Sequence, residues 1–325
     1  MIGKIIVGLL ISFFMALESG AVFAIAAEYP TRFITLMVPW PAGGGADTAA
    51  RILASIAEKR MGQPIIVVSR AGAGSQVGLT ELARQKPDGY YLGMPSLPAL
   101  NTIILDRERR AAFNVDSFLP IINQVLDPGI IYVKAGSPYK TLKDLLEDAK
   151  KRPGEIRAAT TGILGDDHLA ILMLEEAANV KFRLVHFDGA ATMLTAALGG
   201  QVDVAFDNVG TVAVRIKARE LVCLGVMDHE RSKFIPDIPT LGELGFPTII
   251  SSSTRGIMGP KGIPDPIVKK IQAVFLEAMQ DPGHVEKMEK AGLAIKPMVG
   301  PEYKKYFLDL HEKCKYLVEA ARRAQ

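Results

Sequence analysis

Short apolar runs alternate with helical patterns along most of the chain after Pro30. Phe33 to Val38 is a continuous apolar run, which is typical of a strand buried on both faces of a sheet. A turn rich in proline and glycine follows, and residues 49–56 then repeat apolar side chains every three or four positions. Residues 65–68 predict the next strand. The order of strand, turn, helix and strand predicts an α/β fold.

The same alternation continues to the C terminus. Further strands are predicted at 130–133, 156–159, 185–187, 202–206 and 221–227, and helices near 141–149, 169–177, 193–198, 264–278 and 301–321. Asp47 and Thr141 are expected at N-cap positions, because their side-chain oxygens can accept a hydrogen bond from the first helical turn. Cys223 lies in a predicted strand and Cys314 on a helix's apolar stripe, so both are expected to fill the core rather than act as nucleophiles.

The first 27 residues are expected to be a secretory signal peptide. Lys4 gives a positive start, a nearly uninterrupted apolar run extends from Ile5 to Leu17, and residues 24–26 match a small-x-small cleavage pattern. The run is shorter than the ~20 residues that span a membrane, so a membrane anchor and a buried N-terminal helix are the weaker alternatives. The mature chain is therefore expected outside the cytoplasm.

The composition is that of an ordinary globular protein. Of 325 residues, 49% are hydrophobic and 22% are charged, with 38 basic against 35 acidic residues and no basic block. This balance argues against nucleic acid as a partner. Two cysteines are too few for a disulfide scaffold or a cysteine-based zinc site.

The length favours two domains, at roughly 100–200 residues each. We expect the chain to cross between them at the turn-like segment 127–129 and at the polar stretch 251–254. Domain 1 is then discontinuous, with residues 28–127 and 254–325. Domain 2, residues 128–253, is an insertion.

The segment VPWPAGGGAD, residues 38–47, has the most specific chemistry in the chain. Backbone N–H groups of a glycine-rich turn and the positive end of a helix suit an anion, either a carboxylate or a phosphate. A Walker-type loop needs Gly-Lys-Ser/Thr where this chain has Ala46-Asp47-Thr48, which argues against a nucleotide. A tight strand–helix turn without a ligand is the alternative.

A second glycine segment, GAGSQVG at residues 72–78, follows another predicted strand. Its third glycine is one position too late for a dinucleotide fingerprint. It predicts either a second wall of the same pocket, through Gly74 and Ser75, or a plain loop.

A third loop, TTGILG at residues 160–165, precedes a helix that starts with Asp166, Asp167 and His168. Asp166 and Asp167 are expected to cap that helix and His168 to begin its apolar face. The alternative is an enzyme that uses these three residues with His186 as a metal or acid–base site. The chain has no Gly-x-Ser-x-Gly elbow, no His-Glu-x-x-His and no metal spacing among its five histidines. It therefore has the profile of a binding protein, not an enzyme, and no cofactor or metal is expected.

Ordered segments over nearly the whole mature chain resemble the periplasmic solute-binding proteins of tripartite tricarboxylate transporters, the Bug family. The matching stretches are VPWPAGGGADTAAR (38–51), GQPIIVVSRAGAGSQVG (62–78), KPDGYYLG (86–93), DSFLPI (116–121), HLA (168–170), GGQVDVAF (199–206), RSKFIPDIPTLGELGFP (231–247) and GIMGPKGIPDPIVKKI (256–271).

The resemblance implies a type II periplasmic-binding-protein fold, in which two α/β domains are joined by two crossings and hold one ligand in their cleft. It also implies that a loop from each domain holds a carboxylate, largely through backbone amides and ordered water. The candidate positions are Trp40, Ala42, Gly43, Gly44 and Asp47 in the first domain, and Thr160, Thr161, Gly162, Asp166, Phe187, Asp188, Gly189 and Asp207 in the second.

Several positions depart from the family's pattern. Trp40 stands where the family usually has phenylalanine, Asp188 where a lysine is common, and Asp166 and Asp167 near the place of small hydroxyl residues. Because these changes add bulk or negative charge, we expect an aromatic or amino-bearing carboxylate rather than a plain tricarboxylate.

The expected function is an extracytoplasmic, monomeric receptor that captures a small organic carboxylate by hinge closure. It is expected to deliver the ligand to membrane transporter subunits. A sensory receptor with the same cleft is a further alternative.

Overall fold

The computed structural model describes residues 29–323, where strands and helices alternate as the sequence predicts. The expected signal peptide, residues 1–27, lies outside these residues. The strands are β1 (Ile34–Val38), β2 (Ile65–Ser69), β3 (Tyr91–Gly93), β4 (Ser96–Leu97), β5 (Phe118–Lys134), β6 (Arg157–Thr160), β7 (Arg183–His186), β8 (Val204–Asn208), β9 (Leu221–Met227), β10 (Ser252–Pro260) and β11 (Ile295–Val299).

Helices connect and cover these strands. They are α1 (Gly45–Met61), α2 (Gln76–Ala83), α3 (Ala99–Leu105), α4 (Leu142–Lys151), α5 (Asp166–Ala178), α6 (Ala190–Leu198), α7 (Val209–Lys217), α8 (Asp265–Gln280), α9 (Pro282–Lys290) and α10 (Pro301–Arg323), with short 3-10 turns at Arg107–Arg109 and Val115–Ser117. Between residues 29 and 323, none of them has the length and apolar character that crossing a bilayer requires.

The sheet has two halves, each with a group of parallel strands. In the first half β1 pairs with β2 and β3, and in the second β6 pairs with β7 and β8. We call the part built around β1–β3 and α1 the first lobe, and the part built around β6–β8, α5 and α6 the second lobe. Parallel strands joined through helices place the strand ends and helix starts of each lobe at one edge, where ligands bind in such folds.

Strand β5 runs from one lobe into the other without a break. Its first part pairs antiparallel with β10, with Ser253 opposite Asp127, and from Gly129 onward it pairs with β8 and β9. The expected turn at residues 127–129 is therefore wrong, because this segment is extended. Pro128 lies where the ladder changes partners, which is a place where a residue without an N–H is tolerated in a strand.

The lobes have separate hydrophobic cores. Leu36 and Leu53 are fully buried in the first lobe, as are Leu174 and Phe206 in the second. Helix α10 lies against both lobes, since Cys314 and its neighbours pack in one cluster with side chains of α3 and α5.

The local helix signals were right in several places. The Thr141 side chain accepts a hydrogen bond from the Asp144 N–H and caps α4, as predicted. Cys223 and Cys314 are buried, and burial raises the pKa of each thiol to about 12. Both cysteines therefore fill the core, as predicted.

Candidate functional site

A pocket lies between the two lobes and encloses about 600 Å³, counting its open mouth. Both lobes contribute to its wall, together with Ser253 and Arg255 of the crossing strand β10. The lining residues are Trp40, Pro41, Gly44, Gly45, Ala46, Ser96, Thr161, Asp166, Gly189, Ala190, Ala191, Thr192, Asp207, Asn208, Thr211, Ser253 and Arg255.

Within residues 29–323, four helices begin at this wall, namely α1, α5, α6 and α7. Their N-cap residues are Gly44, Gly165, Gly189 and Asn208, and none of these makes a side-chain cap. The first N–H groups of a helix have no partner inside it, and they carry its positive end. The pocket is therefore rich in backbone donors aimed at an oxygen-bearing ligand.

The glycine loop before α1 is held by Asp47. This residue is the third of the helix rather than its N-cap, so the N-cap prediction is wrong. Its carboxylate accepts hydrogen bonds from the Gly43 N–H (3.1 Å) and from Arg51 Nε (3.0 Å). Gly43 has φ of +88°, a conformation that suits glycine. Asp47 thus fixes the loop from behind.

Trp40 forms an apolar wall at the first-lobe side. Its Nε1 donates to Ser96 Oγ at 3.1 Å, and its carbonyl oxygen accepts from Ser69 Oγ at 2.5 Å. Because both ends of the residue are hydrogen-bonded, the indole is fixed in the pocket and can stack on a planar or apolar ligand group.

Arg255, on β10, is the pocket residue that sequence reasoning missed. It is 4% exposed, and of the described lining residues it is the one with a positive side chain. Its Nη1 donates to Asp127 Oδ2 at 2.6 Å, and Asp127 also accepts from the Gly210 N–H at 3.0 Å. Burial raises the pKa of Asp127, and the charge of Arg255 opposes that rise. In the sequence, a single arginine closely precedes the apolar residues Ile257 and Met258, and this is the signal that could have indicated a buried charge.

The start of α1 is shaped to receive this guanidinium. A Cβ atom on Gly45 would lie 2.8 Å from Arg255 Nη2 and 3.1 Å from Arg255 Cζ. Since real Cβ atoms essentially never approach that closely, glycine is required here for close contact between helix backbone and guanidinium. The two groups form one cationic wall.

The loop before α5 is closed by its own side chains. Asp167 accepts from the Thr161 N–H (3.1 Å) and the Thr161 hydroxyl (2.6 Å), and His168 Nδ1 accepts from the Leu164 N–H (2.9 Å). The N-cap is Gly165, so the predicted capping of α5 by Asp166 and Asp167 is wrong.

Thr160 lies beneath this loop and is fully buried. Its hydroxyl makes a 2.8 Å hydrogen bond with His186 Nδ1 and accepts from the Gly162 N–H at 3.2 Å. The rings of His168 and His186 are in edge contact, with centroids 4.9 Å apart. Burial, with a smaller contribution from His186, lowers the pKa of His168 to about 4. In the part of the chain that the structure describes, no three acidic, histidine or cysteine side chains form a metal-binding group.

Two buried carboxyl groups form the acidic side of the pocket, Asp166 and Asp207. Asp166 Oδ2 accepts from Asn208 Nδ2 at 2.8 Å, and Asp207 Oδ1 accepts from the Asn208 N–H at 2.7 Å. Burial raises the pKa of both groups, that of Asp207 to about 7. Neither side chain touches a cation of the described chain within hydrogen-bond distance.

The candidate positions from the sequence divide into two groups. Those in the pocket wall are Trp40, Gly44, Thr161, Asp166, Gly189 and Asp207. Those outside its lining are Ala42, Gly43, Asp47, Gly74, Ser75, Thr160, Gly162, Phe187 and Asp188. The wall positions that sequence reasoning did not name include the first turn of α6, residues 190–192, because that helix was predicted to start three residues later.

Gly74 and Ser75 lie near Arg109 instead of the pocket. Arg109 Nη1 donates to the Ala73 carbonyl at 2.7 Å, and its Nη2 donates to the Ile163 carbonyl of the second lobe at 3.2 Å. This side chain therefore bridges the two lobes outside the pocket.

A pocket between two α/β lobes, which two adjacent strands connect, defines a two-lobed solute-binding protein. Residues 49–322 match the profile of the tripartite tricarboxylate transporter family receptor. The chain belongs to this family, so the family and fold predictions are confirmed.

Individual relatives agree with this assignment. Protein BugT of Bordetella pertussis strain Tohama I is 29% identical over 283 residues, which cover 87% of this chain and 87% of BugT. The structure of the periplasmic binding protein BugD has a TM-score of 0.81 at 27% identity, covering 91% of this chain and 98% of BugD. MatC of Rhodopseudomonas palustris, solved with bound malate, shares the fold, with a TM-score of 0.82 at 24% identity, 89% coverage of this chain and 100% of MatC.

Proposed function

We propose that the chain is an extracytoplasmic receptor that captures a small organic carboxylate between its lobes and delivers it to a membrane transporter. The observation that carries this proposal is the contact between the buried Arg255 guanidinium and the uncapped start of α1 at Gly45. Guanidinium groups and helix starts both bind carboxylate oxygens through N–H donors. The hydrogen bond to Asp127 uses Nη1, which leaves Nη2 and Nε for a ligand.

Capture works by closure of the two lobes. Helix α1 belongs to the first lobe and α6 to the second, and both begin at the pocket wall. A ligand that touches both starts stabilises the closed form over open forms. The hinge of this proposal is the pair of crossing strands, with domain boundaries at 127/128 and 253/254.

The ligand of this proposal carries an aromatic or amino group besides its carboxylate. Trp40 supports the aromatic part as a fixed indole in the wall. Asp166 and Asp207 support the amino part, because they are buried carboxyl groups of the lining. Asp188, another of the departures on which the expected amino group rests, is exposed and outside the lining.

A thermal-shift screen of the mature chain tests the function. The panel contains malate, citrate, benzoate, phenylalanine and aspartate, with the corresponding amides as controls that lack the carboxylate. A ligand at a hundredfold excess over its Kd is expected to stabilise the fold by about 2.7 kcal/mol. If no carboxylate in the panel shifts the transition, the proposal is wrong. Citrate binding without any response to the aromatic or amino compounds contradicts its finer part.

The cellular setting is tested on the secreted protein. Receptors of this family are periplasmic binding proteins, and we propose cleavage near residue 27 and a monomeric mature chain. Mass spectrometry of the periplasmic protein gives the first residue, and light scattering gives the molar mass. A retained leader or a dimer mass contradicts the respective statement.

A further inference from the structure

Asp207 has a buried carboxylate oxygen without a hydrogen-bond partner. The residue is 1% exposed and forms part of the pocket wall at the end of β8. Its Oδ1 accepts from the Asn208 N–H, whereas no donor among residues 29–323 reaches Oδ2 in hydrogen-bond geometry, although the Thr211 hydroxyl lies beside the carboxyl group. A buried acceptor that lacks a donor costs free energy, so a ligand that donates to Oδ2 removes that cost.

Most of the titratable side chains around Asp207 are aspartates. The titratable groups around it are Asp166 and Asp167 on α5, Asp127 and Tyr132 on β5, and Arg255 on β10. Arg255 is already ion-paired with Asp127. The Tyr132 hydroxyl is a second buried polar group without a partner. Within the described chain no cation is hydrogen-bonded to Asp207, whereas the charge of Arg255 acts on Asp166 and opposes the rise of its pKa.

At the starts of α1 and α6, none of the described lining residues is acidic. The first turn of α6 contains no acidic residue, and the carboxylate of Asp47 in α1 is bound to Arg51 and to the loop behind the helix. The helix starts of α1 and α6 are thus open to an anion, whereas those of α5 and α7 are already next to the carboxyl groups of Asp166 and Asp207. The pocket has an anion-binding side and an acidic side.

We propose that Asp207, with Asp166 beside it, binds a protonated amine, so that the ligand is a zwitterionic amino carboxylate. The ammonium group donates to Asp207 Oδ2 while the carboxylate binds at the starts of α1 and α6. This inference rests on the proposed carboxylate receptor function. The competing explanation for the unpaired oxygen is that Asp207 is protonated and binds no amine. The experiment below distinguishes these two explanations.

Isothermal titration of the mature protein with matched ligand pairs tests the proposal. The pairs are succinate and aspartate, butyrate and 4-aminobutyrate, and 3-phenylpropionate and phenylalanine. In at least one pair the amino compound is expected to bind about 30-fold tighter or more, which is the scale of a desolvated charge pair. Asp207→Asn is expected to remove this preference, and Asp237→Asn, an exposed aspartate of the second lobe, is expected to keep it.

The proton balance of binding gives a second readout that needs no variant. At pH 7 an ammonium ligand favours ionised Asp207 and releases a proton, whereas a plain carboxylate beside Asp207 takes one up. Titrations in buffers with different ionisation enthalpies measure the sign. Proton release with the preferred ligand supports the amine subsite.

Three results overturn the inference. They are equal or tighter binding of the deaminated compound in every pair, proton uptake with the preferred ligand, or an amine preference that survives Asp207→Asn in a folded variant. In these cases the amine inference fails, but binding of a carboxylate still supports the proposed receptor function. Absence of binding by every carboxylate overturns the receptor function together with the inference.

Discussion

Gly189 of the second lobe lies directly against Pro41 of the first lobe at the pocket. A Cβ atom on Gly189 would lie 3.1 Å from both Cδ and Cγ of the proline ring. Its φ of 167° is extended backbone that any residue can adopt, so the contact across the pocket is the constraint on this position. The two lobes therefore touch here through the backbone of Gly189 and the ring of Pro41.

Gly189→Ala is expected to weaken ligand binding by about tenfold, because a methyl group against a rigid ring disfavours the closed form and roughly 1.4 kcal/mol is a tenfold change. Calorimetric titration gives the affinity, and small-angle scattering with and without ligand gives the degree of closure. Gly165→Ala is the control, since its nearest atom, the Gly162 carbonyl oxygen, would be 3.7 Å away in the same lobe. Equal affinities of the two variants would contradict the role of this contact.

Gly45→Ala is expected to displace the Arg255 guanidinium, because the new methyl group would lie 2.8 Å from Nη2. Carboxylate affinity should fall, even though alanine favours a helix more than glycine does. A double-mutant cycle with Arg255→Met checks the cause. Once the guanidinium is absent, Gly45→Ala should have little further effect, and fully additive losses would disprove the coupling.

The Arg255–Asp127 pair is expected to behave as a buried ion pair in unfolding experiments. Both side chains are at most 4% exposed, so Asp127→Asn or Arg255→Met alone leaves a buried polar or charged group unpaired. Each single change should lower the unfolding free energy by about 3–5 kcal/mol, and the double change Asp127→Asn with Arg255→Met should cost clearly less than the sum of the two. Urea titration of the ligand-free protein measures this. Losses that simply add in the double variant would speak against the pair.

The stability of the ligand-free protein is expected to depend on Asp207 and pH. The pKa of Asp207 rises to about 7 because of burial, so between about pH 4 and 7 the folded chain holds a proton that the unfolded chain has released. This stabilising contribution is complete below pH 4 and is lost as the pH rises through 7.

Asp207→Asn should therefore unfold at higher urea concentration than wild type at pH 8, and at the same concentration at pH 4. The exposed Asp237→Asn serves as the control, with no difference from wild type at either pH. An Asp207→Asn variant that is less stable at pH 8 would contradict the uncompensated charge.

Trp40 offers a direct optical readout, because it is the single tryptophan of the chain and lines the pocket. Ligand binding should change its emission, since the indole exchanges water for ligand on one face while Ser96 holds its Nε1. Fluorescence titration should give the same Kd as calorimetry, and Trp40→Phe should lose the signal. A ligand that binds calorimetrically without changing the emission would remove Trp40 from the site.

Local sequence signals predicted the elements that depend on local chemistry. The Thr141 cap, the glycine turn before α1 and strand β9 at Leu221–Met227 depend on side chains within a few residues of one another. These interactions are decided by backbone preference and hydrophobic period, which a single sequence contains. The same local signals misled at residues 127–129, where proline and glycine suggested a turn.

The pocket chemistry depends on residues that are far apart in the chain. Arg255 and Asp127 are separated by 128 positions, and Asn208 and Asp166 by 42. Neither pairing has a spacing signature in the sequence. The first forms where β5 and β10 lie side by side, and the second forms where helices α5 and α7 start next to each other.

The sequence by itself thus determined the α/β elements, the family and the loops that precede the helices. The tertiary structure alone decided which side chains are buried together, which is why Arg255 became the positive wall and Asp207 the unpaired acid. The physical reason is that hydrogen-bond partners and desolvation are set by neighbours in space, and these are fixed only when the two lobes and their crossing strands have packed.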